Sequence, residues 1–131
     1  MKTIHKKEDF EGMRKAGNLA AQTLDMLADY VKPGTTTSKL DSLAFDFIDK
    51  NKGLIAPLFY KGFPKSICTS LNHVICHGIP SNRILETGEI LNIDVTVIVD
   101  GWHGDTSRMF PVGKINNKAQ KLIDCTYESM M

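Results

Sequence analysis

Two aspartates are the residues whose types and spacing most directly indicate chemistry. Asp94 lies within an alternating apolar and polar run, and Asp105 follows Asp100-Gly101, a pair typical of a two-residue type I′ hairpin loop. Such a loop would place Thr96 opposite Asp105. Asp94, two residues from Thr96, would then share a face with Asp105, at a diagonal spacing of roughly 7–8 Å between backbones.

Two carboxylates on one face repel each other unless a cation or a shared proton lies between them. Because carboxylates commonly bridge pairs of divalent ions, the pair predicts a metal site. A single strand aspartate is more often satisfied by neighbours such as Asn92 and Thr96, or by a lysine. A bulge at Gly104 would also disrupt the alternation of side chains that places Asp105 on the same face as Asp94. Carboxylates alone suit Mg²⁺ or Ca²⁺ as well, so the pattern predicts a metal without specifying a reaction.

Two histidines, His73 and His77, have the four-residue spacing of zinc ligands on a helix. The β-branched residues after His73 and the turn Gly78-Ile79-Pro80 are untypical of a helix, so we reject a zinc motif and expect a short strand over Val74–Cys76. His77 would then lie between a strand and a turn, where its imidazole can face a cleft. A single loop histidine is more often structural or solvated, so spacing alone assigns it no role.

The elements that must position these residues follow from hydrophobic periodicity. Apolar residues recurring every three or four positions predict three helices, and short β-prone runs bounded by Gly, Pro and Asn predict strands. The first helix stripe comprises Phe10, Met13, Gly17, Ala20, Leu24, Leu27 and Val31, ahead of a stop at Pro33-Gly34. A second helix is expected from a capping box at Ser38–Asp41 to a stop at Asn51-Lys52-Gly53. The other expected segments are an aromatic loop Leu58–Pro64, strands Ile67–Leu71, Val74–Cys76, Ile90–Val99 and Trp102–Phe110, and a helix over 119–130.

The apolar residues of the last predicted helix still follow helical spacing where the sequence stops at Met131. It has no Gly or Asn cap and no following Pro. No repeat, low-complexity tract or linker interrupts residues 1–131. We therefore expect one domain that is truncated on its carboxyl-terminal side and belongs to a larger protein.

Composition indicates an ordinary globular protein, since 42% of the 131 residues are apolar and 24% are charged. The formal net charge of +1 provides no global field to recruit nucleic acid or an anionic membrane. The opening segment, residues 1–10, lacks the apolar run of a signal peptide, and no segment is long and apolar enough for a membrane span. Cys68, Cys76 and Cys125 form no CxxC pair, so we expect three reduced thiols in a cytoplasmic protein.

Several segments, in order and at compatible spacing, resemble the signatures of one family, the type I methionine aminopeptidases. These segments are Met13–Gly17, Val31–Gly34, Tyr60–Cys68, Cys76–Pro80, Leu91–Thr96 and Gly101–Ser107. The resemblance covers essentially the whole chain. It identifies the sequence as the amino-terminal portion of a member of that family.

The resemblance implies an α+β pita-bread fold of the creatinase/aminopeptidase kind, with an antiparallel sheet and covering helices. This chain would be its amino-terminal half. The implied centre holds two divalent ions, Mn²⁺, Fe²⁺ or Co²⁺, with Asp94 as a ligand and Asp105 bridging the two. His77 would contact the scissile peptide and act in catalysis. The residues implied to line the pocket for the substrate methionine are Tyr60, Phe63, Cys68 and His77.

The implied reaction is removal of the initiator methionine from nascent proteins, near the ribosome, by attack of a metal-bound hydroxide on the first peptide bond. The remaining ligands of the family, one His and two Glu, are not in this sequence. We therefore expect the isolated chain to lack peptidase activity, and the full-length protein to be a monomer.

Two alternative functions remain open, besides a third possibility that the chain is a genuinely short, inactive product serving as a binding partner. One is another pita-bread peptidase, such as an X-Pro aminopeptidase, although the Cys76–Pro80 segment and the opening segments favour methionine removal. The other is a non-catalytic pita-bread protein that binds ribosomes or RNA. The neutral charge and the presence of Asp94, Asp105 and His77 weigh against this second alternative.

Overall fold

Helices cover one face of an antiparallel sheet in the computed structural model, which describes residues 4–131; the first three residues of the charged opening segment lie outside the described residues. The elements in chain order are helices α1 (Lys7–Ala28) and α2 (Thr37–Lys50), strand β1 (Leu54–Ile55), a 3-10 turn (Tyr60–Gly62), strands β2 (Cys68–Leu71), β3 (Ile90–Val99) and β4 (Trp102–Pro111), and helix α3 (Asn117–Met130). This architecture confirms the expected combination of helices with an antiparallel sheet.

Strand β3 is the centre of the sheet. It pairs along its whole length with β4 on one edge, and with β2 and β1 at the two ends of its other edge, all antiparallel. Its apolar side chains pack with those of α1 and α2 in one hydrophobic core. The four with no exposed surface are Leu91, Ile93, Val95 and Val97. The predicted alternation of this strand is therefore confirmed.

The stripe predicted for the first helix is confirmed only in its later turns. Phe10 and Met13 are 43% and 44% exposed, and the buried face of α1 begins at Ala16. Ahead of Ala16 the helix passes the turn end of the hairpin, where the Trp102 ring lies against Gly12. The apolar residues of the first turns therefore have no core to enter.

The capping box predicted at Ser38–Asp41 is wrong. Thr36 is the N-cap of α2, and its hydroxyl accepts a hydrogen bond from the Lys39 N–H. The buried Asp41 carboxylate instead accepts hydrogen bonds from the two backbone N–H groups of Ser66–Ile67, at 2.7 and 3.2 Å. Asp41 therefore ties α2 to the segment that leads into β2, a contact that local spacing does not indicate.

The strand predicted over Val74–Cys76 is also wrong, because this segment is irregular and exposed. Asn72 adopts a left-handed φ of 52° and so ends β2. The chain returns to the sheet only at Gly78, whose carbonyl accepts a hydrogen bond from the Thr69 N–H at 2.7 Å. The residues between form a loop rather than a strand.

Helix α3 confirms the third predicted helix. Its N-cap is Asn116, whose side chain accepts a hydrogen bond from the Ala119 N–H. None of its residues is buried, so the stripe that includes Leu122 and Met130 lies largely in solvent. Among residues 4–131, no helix is both long enough and apolar enough to cross a lipid bilayer.

We expect Gly104→Ala to destabilise the chain by at least about 2 kcal/mol. A Cβ at Gly104 would lie 2.2 Å from the Ala16 carbonyl carbon and 2.5 Å from the Gly17 backbone nitrogen, so α1 would have to move away from β4. Gly17→Ala is the matched control, because a Cβ there meets no atom within 4 Å and should stabilise α1 by up to about 1 kcal/mol. Urea unfolding measures both changes, and equal effects would contradict this close packing.

Candidate metal and substrate site

The β3–β4 hairpin brings the two predicted metal-ligating aspartates onto one face. Thr96 pairs with Asp105, and the strands continue past Gly104 without a bulge. The Asp100-Gly101 loop has φ angles of 50° and 82°, both positive as a type I′ turn requires. Asp94 is half-buried on this face and Asp105 is exposed. The expected parity and register of the hairpin are confirmed.

The electrostatic environment of Asp94 is dominated by burial and by its neighbour. Burial raises the pKa of this carboxyl above its ordinary value, and the charge of Asp105 and a hydrogen bond to it raise the pKa further. His77 and the backbone of Val95 lower the same pKa, so the imidazole lies within electrostatic reach of the pair. A divalent cation would reverse the balance, because opposite charge favours both ionised carboxylates.

Cys68 lies directly opposite Asp94, on the neighbouring strand β2. Burial, followed by the charges of Asp94, Cys76 and Asp105, raises the pKa of its thiol to about 11. At neutral pH the side chain is therefore a small neutral group, suited to line a pocket rather than to act as a nucleophile. All three cysteines are unpaired, as expected for free thiols.

His77 lies on the exposed loop between β2 and β3 and has a left-handed φ of 54°. This conformation is uncommon for a residue with a side chain and is found disproportionately at functional sites. The next residue, Gly78, lies against the backbone of Thr69. The loop therefore approaches the sheet closely just after His77, next to the strands that carry the carboxylates.

The two aromatic residues expected in the methionine pocket are not enclosed. Tyr60 is 65% exposed, with the Lys61 ammonium 5.4 Å from its ring centroid, and Phe63 is half-buried. Two cavities, of about 320 and 720 Å³, lie beside α2 and beside α3 and are lined by other residues. Within the described part of the chain, the carboxylates, Cys68 and His77 come together, whereas Tyr60 is largely exposed and Phe63 is half-buried.

Sequence reasoning missed the side chains that close the His77 loop. Glu89 is buried, and its carboxylate accepts hydrogen bonds from the Arg83 guanidinium at 2.5 Å and from the Asn72 amide at 3.1 Å. Asn72 in turn accepts from the Ile90 N–H at 3.1 Å. These contacts join the two ends of the loop. A glutamate directly before an apolar strand was the one local signal for this network.

The two aspartates fit a metal ion as part of a centre. Their carboxylate oxygens are the ligands that hard divalent cations prefer, and their mutual repulsion is relieved by a cation between them. Among residues 4–131, no group of three or more His, Cys, Asp and Glu side chains is arranged to hold a metal ion. A complete centre would therefore need ligands in addition to Asp94 and Asp105.

The chain belongs to metallopeptidase family M24, whose model matches residues 11–131. The methionine aminopeptidase of Rickettsia prowazekii (strain Madrid E) is 58% identical over 128 residues, which cover 98% of this chain and 49% of the relative. The methionine aminopeptidase of Escherichia coli (strain K12) is 50% identical over 130 residues, which cover 98% of this chain and 49% of that relative. The crystal structure of the Rickettsia prowazekii enzyme matches with a TM-score of 0.98 at 57% identity, over 100% of this chain and 53% of that one.

These similarities confirm the resemblance drawn from the motifs. The chain matches the amino-terminal portion of type I methionine aminopeptidases, and its α+β architecture is that of the pita-bread fold. It spans about half the length of the curated relatives it matches. The matched residues include His77, Asp94 and Asp105.

We expect Asp94→Asn to raise the Tm of the metal-free chain by a few degrees at neutral pH. The raised pKa of Asp94 means that the folded state binds this proton more tightly than the unfolded chain does. Protonation therefore contributes stability that is complete below the ordinary pKa of 3.8 and is lost as the pH rises through the folded-state pKa. At neutral pH the repulsion between the two ionised carboxylates destabilises the folded state, and the neutral amide of the Asn variant removes that repulsion.

Thermal unfolding between about pH 3 and about pH 8 measures this effect, and the advantage of Asp94→Asn should shrink toward the acid end. Asp100→Asn is the matched control, because Asp100 is exposed in the same hairpin and Asn tolerates its φ of 50°. A lower Tm for Asp94→Asn at neutral pH would contradict the repulsion between the carboxylates.

Proposed function

We propose that this chain contributes two metal ligands and a substrate-contacting histidine to a metal-dependent methionine aminopeptidase. The observation that carries the proposal is the pair Asp94 and Asp105 on one face of the hairpin, with His77 within electrostatic reach. The relatives reported above are named methionine aminopeptidases, which favours this substrate class over the X-Pro peptidases. The ligands lacking among residues 4–131 would come from polypeptide outside this sequence.

Asp94 and Asp105 would hold two divalent ions, Mn²⁺, Fe²⁺ or Co²⁺, with Asp105 between them. When bound, such ions activate water and polarise the carbonyl of the peptide bond to be cleaved. Asp105 is the more exposed of the two carboxylates, which suits the bridging position. Asp94 is half-buried and set by strand pairing on both sides, which fixes its direction before any ion binds.

His77 would hydrogen-bond the scissile peptide from the loop side of the site. The neutral thiol of Cys68, directly opposite Asp94, would form part of an apolar pocket for the methionine thioether. Tyr60 and Phe63 would supply the aromatic wall, and the 65% exposure of Tyr60 leaves surface for a substrate side chain to cover. The substrate would be the amino-terminal methionine of nascent chains in the cytoplasm, near the ribosome.

We expect the chain to bind Mn²⁺ weakly, and Asp94→Asn and Asp105→Asn each to lower the affinity by more than about tenfold, because each removes one of two charged ligands. Isothermal titration calorimetry at neutral pH measures the affinities. Asp100→Asn should bind Mn²⁺ like the unsubstituted chain. Equal affinities in all variants would show that the hairpin carboxylates do not hold the ion.

We expect the chain alone to release no methionine from a Met-Ala-Ser peptide with added Mn²⁺ or Co²⁺, because two carboxylates do not complete a metal centre. Mixing it with the part of the Rickettsia prowazekii enzyme that it does not match should restore release. In the mixture, His77→Ala should slow release by about a hundredfold, as loss of a transition-state donor does. His73→Ala, on the same exposed loop, should have little effect.

Two outcomes would contradict this account. Release of methionine by the chain alone would contradict the expectation that two carboxylate ligands do not complete an active metal centre. A folded, metal-binding mixture that cleaves an X-Pro peptide but not Met-Ala-Ser would overturn the substrate class. Binding of the two polypeptides is verified first by co-elution in gel filtration, so that a failure to assemble is recognised.

A further inference from the structure

The loop that carries His77 is held against β2 by two hydrogen bonds at Gly78. The Thr69 N–H donates to the Gly78 carbonyl at 2.7 Å, and the Gly78 N–H donates to Ser70 Oγ at 3.1 Å. A Cβ at Gly78 would lie 2.1 Å from the Thr69 carbonyl oxygen, so this contact has no spare room. One of the two bonds depends on a side chain, the hydroxyl of Ser70.

His77 precedes this contact directly and holds a left-handed φ of 54°. A residue with a side chain keeps such a conformation only where the surrounding contacts over-determine it. The N–H of Gly78 belongs to the peptide bond that follows His77. A hydrogen bond to that N–H therefore fixes the plane of the peptide and restricts the backbone angle ψ of His77.

Ser70 connects this peptide to the strands that carry the carboxylates. It is 3% exposed and pairs with Asn92 on β3. Two residues before it on β2, Cys68 pairs with Asp94 in the same register. Because residues two apart on a strand share a face, the Ser70 hydroxyl lies on the side of the sheet that carries Asp94.

We propose that Ser70 is a positioning residue for His77. By accepting the hydrogen bond from the Gly78 N–H, its hydroxyl oxygen holds His77 in the left-handed conformation that keeps the imidazole on the side of Asp94. The importance of this hydrogen bond for catalysis rests on the function proposed for His77. Its effect on the conformation of His77 requires neither a metal ion nor a substrate.

The test compares Ser70→Ala and Ser70→Cys with the unsubstituted chain by NMR under reducing conditions. Alanine removes the acceptor, and cysteine preserves the shape while replacing the oxygen with a weakly accepting sulfur. In both variants the Gly78 amide should exchange with solvent about tenfold faster, as expected for the loss of one hydrogen bond. The three-bond coupling between the His77 amide and α protons, which reports φ, should move away from its left-handed value.

Thr69→Val is the matched control on the same strand. The Thr69 hydroxyl is buried and has no hydrogen-bond partner among the described residues, and its substitution leaves the backbone bond to Gly78 intact. This variant should keep both the Gly78 exchange rate and the His77 coupling. An equal change in Thr69→Val would show that the effect is not due to the Ser70 hydrogen bond.

The inference is overturned if the Ser70 variants keep the wild-type exchange rate at Gly78 and the wild-type coupling at His77. Should Ser70→Ala fail to fold, the nearly isosteric Ser70→Cys decides alone. Because these measurements are made without metal or peptide, their result is independent of the metal-binding and peptidase tests. A wrong functional proposal and a wrong positioning role therefore give different patterns of failure.

Discussion

The burial of one face of β3 is the constraint on which the rest of the site depends. The four side chains of that face, Leu91, Ile93, Val95 and Val97, are fully buried, and burying each is worth about 1.5–3 kcal/mol. A slip of one residue in register would turn these side chains outward and Asp94 into the core. The core therefore determines the direction of Asp94, and the two-residue turn then determines the position of Asp105.

The same constraint leaves the carboxylate pair without a lysine or arginine partner from its own hairpin. Arg108 is the one arginine on β4, but strand alternation places it on the face opposite to Asp105, where its guanidinium lies 2.8 Å from Asp25 on α1. The helix-covered face of the hairpin thus carries the ion pair between Arg108 and Asp25, whereas the open face carries the two carboxylates that repel each other. The fold keeps a destabilising arrangement where a metal ion would relieve it, which is how functional sites commonly depart from optimal stability.

How much of this could be predicted from the sequence depends on the range of each interaction. The alternation of Ile90–Val99 and the Asp100-Gly101 turn are local signals, and from them the register and the shared face of the two aspartates follow correctly. The hydrogen bonds of Asp41 to residues 66 and 67 join segments 25 and 26 residues apart, so the local spacing of Ser38–Asp41 indicated a capping box instead. Phe10 and Met13 have the right period for a core stripe, but period does not show where the sheet beneath a helix ends.

The site therefore has two parts of different mechanical character. The carboxylates lie on paired strands whose positions are set by the core, whereas His77 lies on an exposed loop held by individual hydrogen bonds at its ends and at Gly78. Elements with few buried contacts open more easily than core strands. Strand pairing thus fixes the positions of the two carboxylates, whereas the position of the histidine relative to them depends on a few polar contacts. Those contacts join residues 8 to 18 positions apart, so the family resemblance could indicate a role for His77 but the motifs did not show what holds it in place.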